Sequence, residues 1–246
     1  MLNFKERLDR TLVDLELVES RTKAQVLIKS GAIKVNGVVI TKSNHLVEDD
    51  SKFEIINNPC PWVSRAGLKL EGALKYFKPP LNKDSVCLDI GASTGGFSQV
   101  LLSKNVKMVY AIDVGTNQLH DIIRNDKRVV VMEKTDARDL DINTIAPVDM
   151  IVVDVSFIGL EKILEVPFSL AKQGAGIIAL IKPQFQVGKP NIGKGGIVKD
   201  NGSVDVCIKE IQSFFEKSGW SVQGVVASDI TGGTGNQEYL LYAIMR

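Results

Sequence analysis

The sequence of 246 residues contains little of what several common chemistries require. It has two histidines, His45 and His120, which leave almost no material for a histidine-based metal site or a Ser-His-Asp triad. Its three cysteines, Cys60, Cys87 and Cys207, lie far apart and form no CxxC pair, so we expect neither a zinc knuckle nor a disulfide framework. We therefore expect no metal ion, and a general base that is a lysine, an aspartate or a glutamate.

Long hydrophobic runs are also missing. The longest mostly apolar stretches, such as 176–181, are far shorter than the ~20 residues that span a membrane. The first seven residues carry charges where a secretory signal peptide needs an apolar core. We therefore expect a cytoplasmic protein without a membrane partner, and scattered cysteines agree with that reducing compartment.

An excess of one charge sign is absent, because 30 lysines and arginines balance 29 aspartates and glutamates to a formal net charge of +1. Taken alone, this balance argues against a strongly basic nucleic-acid binder. The charges are placed unevenly, however, because two stretches contain no acid. Each carries five cations: Arg21, Lys23, Lys29, Lys34 and Lys42 within 20–47, and Lys172, Lys182, Lys189, Lys194 and Lys199 within 166–199. Such a stretch predicts either a surface for nucleic-acid phosphates or a solvated basic face.

Residues 1–56 have the pattern of a small α+β module. Apolar residues recur at helical spacing from residue 8 to residue 18. Ser20 is a suitable N-cap for a second helix, which we expect to stop at Gly31. The Asn36-Gly37 pair predicts a hairpin between two short strands, and a last strand fits 52–56. Residues 57–63 break the periodicity and predict a linker.

Residues 64–246 have the pattern of an α/β domain. Short apolar strands, each followed by a polar turn, are expected at 85–90, 107–114, 129–134, 149–155 and 176–182. Helices fit between them, for example at 96–103, and another at 204–218 follows the last. Two further strands, 221–227 and 238–245, flank a glycine-rich turn and predict an antiparallel pair that finishes the sheet. We therefore expect a doubly wound, mostly parallel sheet.

A glycine-rich loop and a series of acids mark the edge at which such a sheet binds ligands. The loop Asp89-Ile90-Gly91-Ala92-Ser93-Thr94-Gly95-Gly96-Phe97 follows the first strand, and its small residues let the backbone approach a ligand closely. Its spacing is not GxGxxG, so the dinucleotide fingerprint is not met. Asp113 ends the second strand, 22 residues after Gly91, where doubly wound folds place a carboxylate on a ribose diol. Asp136 follows the third strand and Asp154 ends the fourth.

This combination resembles S-adenosylmethionine-dependent methyltransferases. By the resemblance, residues 89–97 hold the methionine part of the donor, Asp113 holds the ribose hydroxyls, and Asp136 lies near the adenine. Asp136 is open to a second interpretation, because the Asp136-Ala137-Arg138-Asp139 segment also fits a solvated turn that caps a helix. The expected cofactor-binding residues are Asp89, Gly91, Ala92, Ser93, Thr94, Gly95, Gly96, Phe97, Asp113, Asp136 and Asp154.

Four ionisable residues stand at places where catalysis is plausible. Lys182 ends the fifth strand, where desolvation and a neighbouring cation would both favour the neutral amine that acts as a base. Asp154 ends the adjacent strand, Lys69 lies on an expected helix before the sheet, and Glu238 begins the final strand. Each alone also fits an ordinary salt bridge.

In this order the four resemble the Lys-Asp-Lys-Glu tetrad of FtsJ-like ribose 2′-O-methyltransferases. The resemblance makes Lys182 the base, while Asp154 orients the lysine and the donor, and Lys69 and Glu238 hold the network. The front motifs Arg7-Leu8-Asp9, Ser20–Ala24 and Val35-Asn36-Gly37 resemble an S4 RNA-binding domain. With Val63–Leu70, Gly91–Phe97 and Ile181–Phe185, nearly the whole chain resembles the TlyA, or hemolysin A, family of ribosomal RNA methyltransferases.

The resemblance implies transfer of a methyl group to a ribose hydroxyl of cytidine, with ribosomal RNA or ribosomal subunits as the partner. The residues expected to contact RNA are Arg7, Arg21, Lys23, Lys29, Lys34, Lys42, Arg65, Lys189 and Lys194. Residues 188–196 are too rich in glycine for a helix or strand and are expected to form a mobile loop that orders on RNA. Trp62 fits either stacking on a base or packing between domains.

Other functions remain open at this point. A non-catalytic ribosome-binding or assembly factor would keep the same fold, and a membrane-active hemolysin would need an apolar segment that the sequence does not show. A pseudouridine synthase also begins with an S4 domain, but it would not need this glycine loop. The modified nucleotide, the ribosomal subunit and the oligomeric state are not indicated.

Overall fold

The computed structural model describes residues 5–56 and 60–246, without the side chains of Lys189 and Asn201. The chain divides into two compact units between Pro61 and Trp62, and each is described by itself. Residues 57–59 of the expected linker lie outside the described residues. No helix in the described ranges is long and apolar enough to cross a membrane.

The first unit is a small α+β module. Its elements are β1 (Glu6–Arg7), α1 (Leu8–Asp14), α2 (Arg21–Lys29), β2 (Ile33–Val35), β3 (Val38–Ile40), β4 (Leu46–Val47) and β5 (Phe53–Ile55). Strand β2 lies between β3 and β5 in an antiparallel sheet, and β1 pairs with β4. The two-residue strands β1 and β4 are too short to give a periodic signal in the sequence.

Local signals set most of these boundaries. The Ser20 hydroxyl accepts the backbone N–H of Lys23 and caps α2, as expected, and the chain leaves the helix at Gly31 with a φ of 75°. Asn36 and Gly37 have φ values of 51° and 81°, which form the two-residue turn between β2 and β3. Helix α1 is shorter than its apolar periodicity predicted, because Glu16 adopts a φ of 57° and returns the chain to bury Val18.

A buried carboxylate lies between the two helices of the first unit. Asp9 has no exposed surface, and its oxygens accept hydrogen bonds from Arg7, Arg21 and Gln25 at 2.8–3.2 Å. The bond from Arg7 holds the pKa of this carboxyl far below its usual range, and the other two bonds lower it further. Arg7 and Arg21, both expected to contact RNA, therefore also stabilise the fold of the module.

The second unit is an α/β domain. Its elements are α3 (Ala66–Phe77), β6 (Val86–Ile90), α4 (Gly96–Ser103), β7 (Met108–Asp113), α5 (Asp121–Arg124), β8 (Val129–Glu133), β9 (Val148–Val153), α6 (Glu165–Ser169), β10 (Ala171–Ile181), α7 (Asn201–Lys217), β11 (Trp220–Ala227) and β12 (Tyr239–Met245). The sheet order is β11-β12-β10-β9-β6-β7-β8. Strands β6 to β10 are parallel, and β12 runs antiparallel between β10 and β11.

The doubly wound sheet expected from the sequence is confirmed. Apolar side chains of α3, α4 and α5, such as Leu70, Leu101 and Ile123, form a core on one face of the sheet. Side chains of α6 and α7, such as Phe168 and Phe215, form the core on the other face. All five residues of β6 are buried, and apart from Asp89 they are apolar, as is typical of a central parallel strand.

Two expectations about this unit were wrong in detail. Strand β10 begins at Ala171, before the expected Gly176, because Ala171 pairs with Val148 across a register shift. The glycine-rich segment 188–196 contains a single-turn 3₁₀ helix at Lys189–Asn191, followed by a tight turn at Lys194–Gly196 in which Gly195 has a non-helical φ of 75°. The buried Asn236 side chain donates to the Gly196 carbonyl at 2.8 Å and accepts from the Val198 N–H at 3.0 Å, which holds this segment in place.

We expect Asp9→Asn to weaken the first unit, because the amide carries no negative charge and its nitrogen cannot accept a hydrogen bond from an arginine. The free energy of opening of α1 and α2 should fall by about 2 kcal/mol. Hydrogen exchange followed by mass spectrometry of peptides from residues 8–29 measures this change. Asp14→Asn, an exposed substitution on the same helix, is the matched control. Equal protection of Asp9→Asn and the natural sequence would show that the Asp9 network does not stabilise the module.

Candidate active site

The carboxyl ends of the parallel strands gather the predicted site residues at one edge of the sheet. Asp89 lies near the end of β6 and Asp113 ends β7, while Asp154 and Lys182 directly follow β9 and β10. Glu238 precedes β12, and because β12 is antiparallel to β10, its start lies at the same edge. The alternation of strands and helices therefore brings together residues that are far apart in sequence.

The glycines of the loop after β6 are required by contacts within the protein. Gly91 has a φ of 80°, and a Cβ there would overlap the carbonyl oxygen of Asp154. A Cβ on Gly96 would overlap the hydroxyl of Ser64, where α3 and α4 approach each other. The close approach of a ligand was the expected reason for these glycines, but the neighbours that exclude a side chain are parts of the chain itself.

Asp113 holds two loops around its carboxylate. One oxygen accepts the backbone N–H of Ser93 and the other accepts the backbone N–H of Gly115, both at 2.7 Å. Each oxygen keeps a lone pair, so the carboxylate remains able to accept hydrogen bonds from a diol. This geometry suits the ribose-binding role expected of Asp113.

Two adjoining clefts open at this edge. The first, of about 380 Å³, is lined by Asp113, Asp136 and apolar side chains that include Ile112 and Ile158. The second, of about 330 Å³, is lined by the glycine loop, Arg65 and Lys182. Gly91, Ser93, Asp154 and Ser156 line both clefts, which makes them continuous. An apolar wall beside a diol-binding carboxylate fits an adenosine, and the small residues of the second cleft fit an aliphatic chain.

The position of Asp136 is consistent with both interpretations of its sequence, a cap of a turn and a place near the adenine. Its carboxylate caps the 3₁₀ turn Ala137–Asp139 by accepting the Arg138 N–H, and it pairs with the Arg138 side chain at 2.6 Å. The hydrogen bond from Arg138 lowers the pKa of Asp136 to about 2. The residue also lines the first cleft, so it stays a candidate for contact with the adenine.

Asp89 is the most deeply buried acid at the edge. It has no exposed surface, and Ser98 donates a hydrogen bond of 2.6 Å to one of its oxygens. The other oxygen has no hydrogen-bond donor among the residues that the structure describes. Burial raises the pKa of this carboxyl to about 7, although the Ser98 hydrogen bond lowers it.

The four residues of the predicted tetrad form two ion pairs. The Lys69 Nζ atom contacts Glu238 Oε2 at 2.5 Å, and the side chains are only 10% and 3% exposed. The Lys182 Nζ atom lies 2.6 Å from Asp154 Oδ1 and donates a hydrogen bond of 2.8 Å to the Ser156 hydroxyl. The expectation of a cation beside Lys182 is not met by these contacts, because its close charged neighbour is the Asp154 carboxylate.

Three residues that support this edge were missed in the sequence. Gln184 donates from Nε2 to Glu238 Oε1 at 3.2 Å, so the turn after Lys182 is tied to the Lys69–Glu238 pair. A Cβ on Gly232 would overlap the same Glu238 oxygen.

The third missed residue, Phe157, lines the first cleft and is 88% exposed. Its φ is 66°, and its ring lies 4.8 Å from that of Phe185. An exposed, strained aromatic residue beside a cleft is a signal that only the structure supplies.

A fourth missed residue fixes the loop that follows Asp113. The Glu133 carboxylate accepts hydrogen bonds from the backbone N–H groups of residues 117–119 and from the Arg124 side chain, at 2.7–3.2 Å. Although burial raises the pKa of Glu133, these hydrogen bonds lower it to about 2. These four hydrogen bonds hold the loop that follows Asp113 in a fixed position.

The candidates for RNA contact have different surroundings. Arg65 is exposed and lines the second cleft, and Lys29, Lys42 and Lys194 are exposed. Within the first unit, Arg21 pairs with Asp9, Lys23 with Glu19 at 3.1 Å, and Lys34 with Glu54 at 3.7 Å. The Lys189 side chain lies outside the description. Trp62 lies against Gly67 and donates to Glu71 at 3.1 Å, within the second unit.

The described residues contain no group of three or more histidine, cysteine, aspartate or glutamate side chains that is able to hold a metal ion.

Comparison with known proteins identifies the family. The FtsJ-like methyltransferase model matches residues 62–244, and the S4 domain model matches residues 6–51. The 16S/23S rRNA (cytidine-2′-O)-methyltransferase TlyA of Mycobacterium tuberculosis is 40% identical over 97% of this chain and 89% of its own. Hemolysin A of Brachyspira hyodysenteriae is 40% identical over 97% of this chain and 100% of its own. A solved Streptococcus thermophilus structure, described as a hemolysin, superposes with a TM-score of 0.77 at 36% identity, over 98% and 88% of the two chains.

The fold and the site thus define a methyltransferase with an S4 domain in front of it. The chain belongs to the FtsJ-like methyltransferase family and carries an S4 domain, and it is similar over nearly its whole length to relatives named TlyA and hemolysin A. This confirms the family resemblance found in the sequence, and it supports S-adenosylmethionine as the methyl donor.

We expect the stability of the second unit to depend on pH through Asp89. Its raised pKa means that the neutral carboxyl is favoured in the folded state, so the stabilisation is complete below the unfolded pKa of ~3.9 and is lost as the pH rises through about 7. Between pH 5 and pH 8 the free energy of unfolding should fall by roughly 2–3 kcal/mol for this reason.

Asp89→Asn should flatten this slope, because the amide stays neutral at every pH. Urea unfolding followed by tryptophan fluorescence reports the second unit, since both tryptophans, Trp62 and Trp220, lie in it. Asp84→Asn, an exposed substitution just before β6, is the control and should keep the natural slope. An unchanged slope in Asp89→Asn would exclude Asp89 as the titrating group.

Proposed function

We propose that this protein transfers a methyl group from S-adenosylmethionine to the 2′-hydroxyl of a cytidine ribose in ribosomal RNA. The observation that carries the proposal is the junction of the two clefts, where Asp154 belongs to the donor cleft and also pairs with Lys182. A group bound in the cleft and a nucleophile beside Lys182 would meet at this junction. The relative named TlyA supports the choice of cytidine and ribosomal RNA.

The cleft residues fit the donor. We assign residues 89–97 to its methionine part, Asp113 to the ribose hydroxyls, and Asp136 to the surroundings of the adenine. S-adenosylmethionine supplies an electrophilic methyl group when bound. The fixed Asp113 carboxylate and the apolar wall around Ile112 and Ile158 orient the adenosine, and orientation of this kind lowers the entropic part of the barrier.

The tetrad supplies the acid–base chemistry in this proposal. A ribose hydroxyl is a weak nucleophile, so its oxygen must be oriented and its proton removed as it attacks. Lys182 is the proposed base: as the neutral amine it takes the hydroxyl proton and becomes the ammonium ion, and Asp154 and Ser156 fix the position of its amino group. The Lys69–Glu238 pair has a positioning role. Gln184 connects the pair to the turn that follows Lys182, so the pair helps to hold Lys182 in place.

RNA would be held by both units. We assign Arg7, Arg21, Lys23, Lys29, Lys34 and Lys42 of the front module, with Arg65, Lys189 and Lys194, to phosphate contacts. Exposed ion pairs such as Lys34–Glu54 contribute ~0–1 kcal/mol, so a phosphate readily replaces the acid. We propose that residues 1–56 form the RNA-binding domain, 57–63 a linker and 64–246 the catalytic domain, in a cytoplasmic enzyme that acts on ribosomal RNA or on subunits. The segment 188–196 is proposed to reorder on RNA.

We expect Lys182→Ala to reduce methyl transfer by about 10²–10⁴-fold, the usual contribution of a positioned base. The measurement is incorporation of labelled methyl groups into isolated 30S and 50S subunits from cells that lack the gene, followed by mapping of the modified ribose. Lys172→Ala is the matched control, because Lys172 lies on β10, the strand that leads to Lys182, and pairs with Asp149 at 2.7 Å. Equal transfer by Lys182→Ala and the natural sequence would exclude Lys182 as the base. No transfer by the natural sequence to either subunit would overturn the proposed function.

Phe157 is proposed to stack on the target base, because its exposed ring and strained backbone are held beside the junction of the clefts. We expect Phe157→Ala to raise the KM for ribosomal subunits by about tenfold while the Kd for S-adenosylmethionine stays within about twofold. Phe157→Tyr keeps the ring and should restore the KM. A weaker donor affinity with an unchanged KM for RNA would instead assign Phe157 to the adenosine.

A further inference from the structure

A separate groove, of about 460 Å³, runs along one face of α3. Lys69, Gly72, Ala73 and Tyr76 line it from the helix, and their spacing places them on one side of α3. The other wall comes from the ends of β11 and β12 and from Asp229, which follows β11. Because Lys69 also pairs with Glu238, the groove begins at the tetrad and leads away from it.

Asp229 has an unusual position in this groove. One of its carboxylate oxygens lies 2.8 Å from the point where a Cβ on Gly72 would stand. Glycine inside a helix costs ~1 kcal/mol relative to alanine, and here its absent side chain makes room for the carboxylate. In the described part of the chain, no hydrogen bond or ion pair reaches the Asp229 side chain, so both oxygens are free to accept.

The groove also has an aromatic wall and a cation. Tyr76 is 68% exposed, and its ring contacts Phe77 edge to face at 4.9 Å, which leaves a face open. Lys75 lines the same groove and pairs with Glu71 at 3.1 Å through an exposed contact. These three groups match three parts of a nucleotide. The open ring suits the face of a base, the carboxylate without a donor suits an amino group, and the cation, whose exposed ion pair is easily exchanged, suits a phosphate.

We propose that this groove binds a nucleotide of the substrate RNA that flanks the methylated one. Its base stacks on Tyr76 and donates an exocyclic amino hydrogen to Asp229, and its phosphate lies at Lys75. The volume suits one nucleotide, since ligand pockets begin at ~300 Å³. Adenine, cytosine and guanine carry such an amino group and uracil does not, so this hydrogen bond favours the first three bases and contributes to the choice of RNA sequence. The proposal rests on the proposed function, because the groove has a role only if RNA reaches the tetrad.

The test compares steady-state kinetics of Tyr76→Ala and Asp229→Ala on isolated ribosomal subunits with labelled S-adenosylmethionine. We expect each variant to raise the KM for the subunits, by about tenfold for the loss of stacking and about five- to tenfold for the loss of the acceptor. The Kd for S-adenosylmethionine and the thermal unfolding midpoint should not change. Tyr76→Phe keeps the ring and should restore the KM, while Ile142→Ala, at a 55% exposed residue outside the groove, is the control.

The possible outcomes distinguish a failure of the groove proposal from a failure of the proposed function. If the natural sequence methylates a subunit and both alanine variants keep its KM, the groove proposal is wrong and the proposed function stands. If the natural sequence methylates neither subunit, the proposed function fails and the groove proposal fails with it. A lowered unfolding midpoint without a change in KM would show that these side chains stabilise the fold and do not bind RNA, which also overturns the proposal.

Discussion

The edge of the sheet that carries the candidate active site depends on one constraint: charges that are withdrawn from water must be paired. Lys69 and Glu238 are almost fully buried, and removal of one partner would leave an uncompensated charge, at a typical cost of ~3–5 kcal/mol. The pair joins α3 to the start of β12, and Gln184 extends it to the turn after β10. The position of Lys182 is therefore set by elements on three sides, and this rigidity is what an enzyme needs when a hydroxyl must be aligned with a methyl group.

Much of this edge is predictable from sequence because its causes are local. Buried parallel strands produce short apolar runs, and the polar residue after each run lies at the ligand-binding edge. Asp113, Asp154 and Lys182 could be located in this way, and so could the hairpin at Asn36-Gly37. The antiparallel pair at the end of the sheet followed from the glycine-rich turn between β11 and β12.

What the sequence did not reveal depends on contacts between distant elements. The two acid-free stretches predicted an open basic surface, but Arg21, Lys23 and Lys34 pair with acids that lie outside their stretch. The support of Asp113 by Glu133 arises only when β7 and β8 lie side by side. Gly91 and Gly96 are glycines because another part of the chain approaches them, and spacing alone cannot distinguish such contacts from contacts with a ligand.

The placement of β12 has a consequence for the order of events in biosynthesis. This strand lies between β10 and β11, although the chain makes it after both, and Lys69 finds its partner 169 residues later. A nascent chain that ends at β11 therefore has no neighbour for that strand and no anion for the buried lysine. The protein therefore becomes active only after the last strand has inserted between β10 and β11. Truncated products that lack this strand would be inactive and would expose two unpaired strand edges.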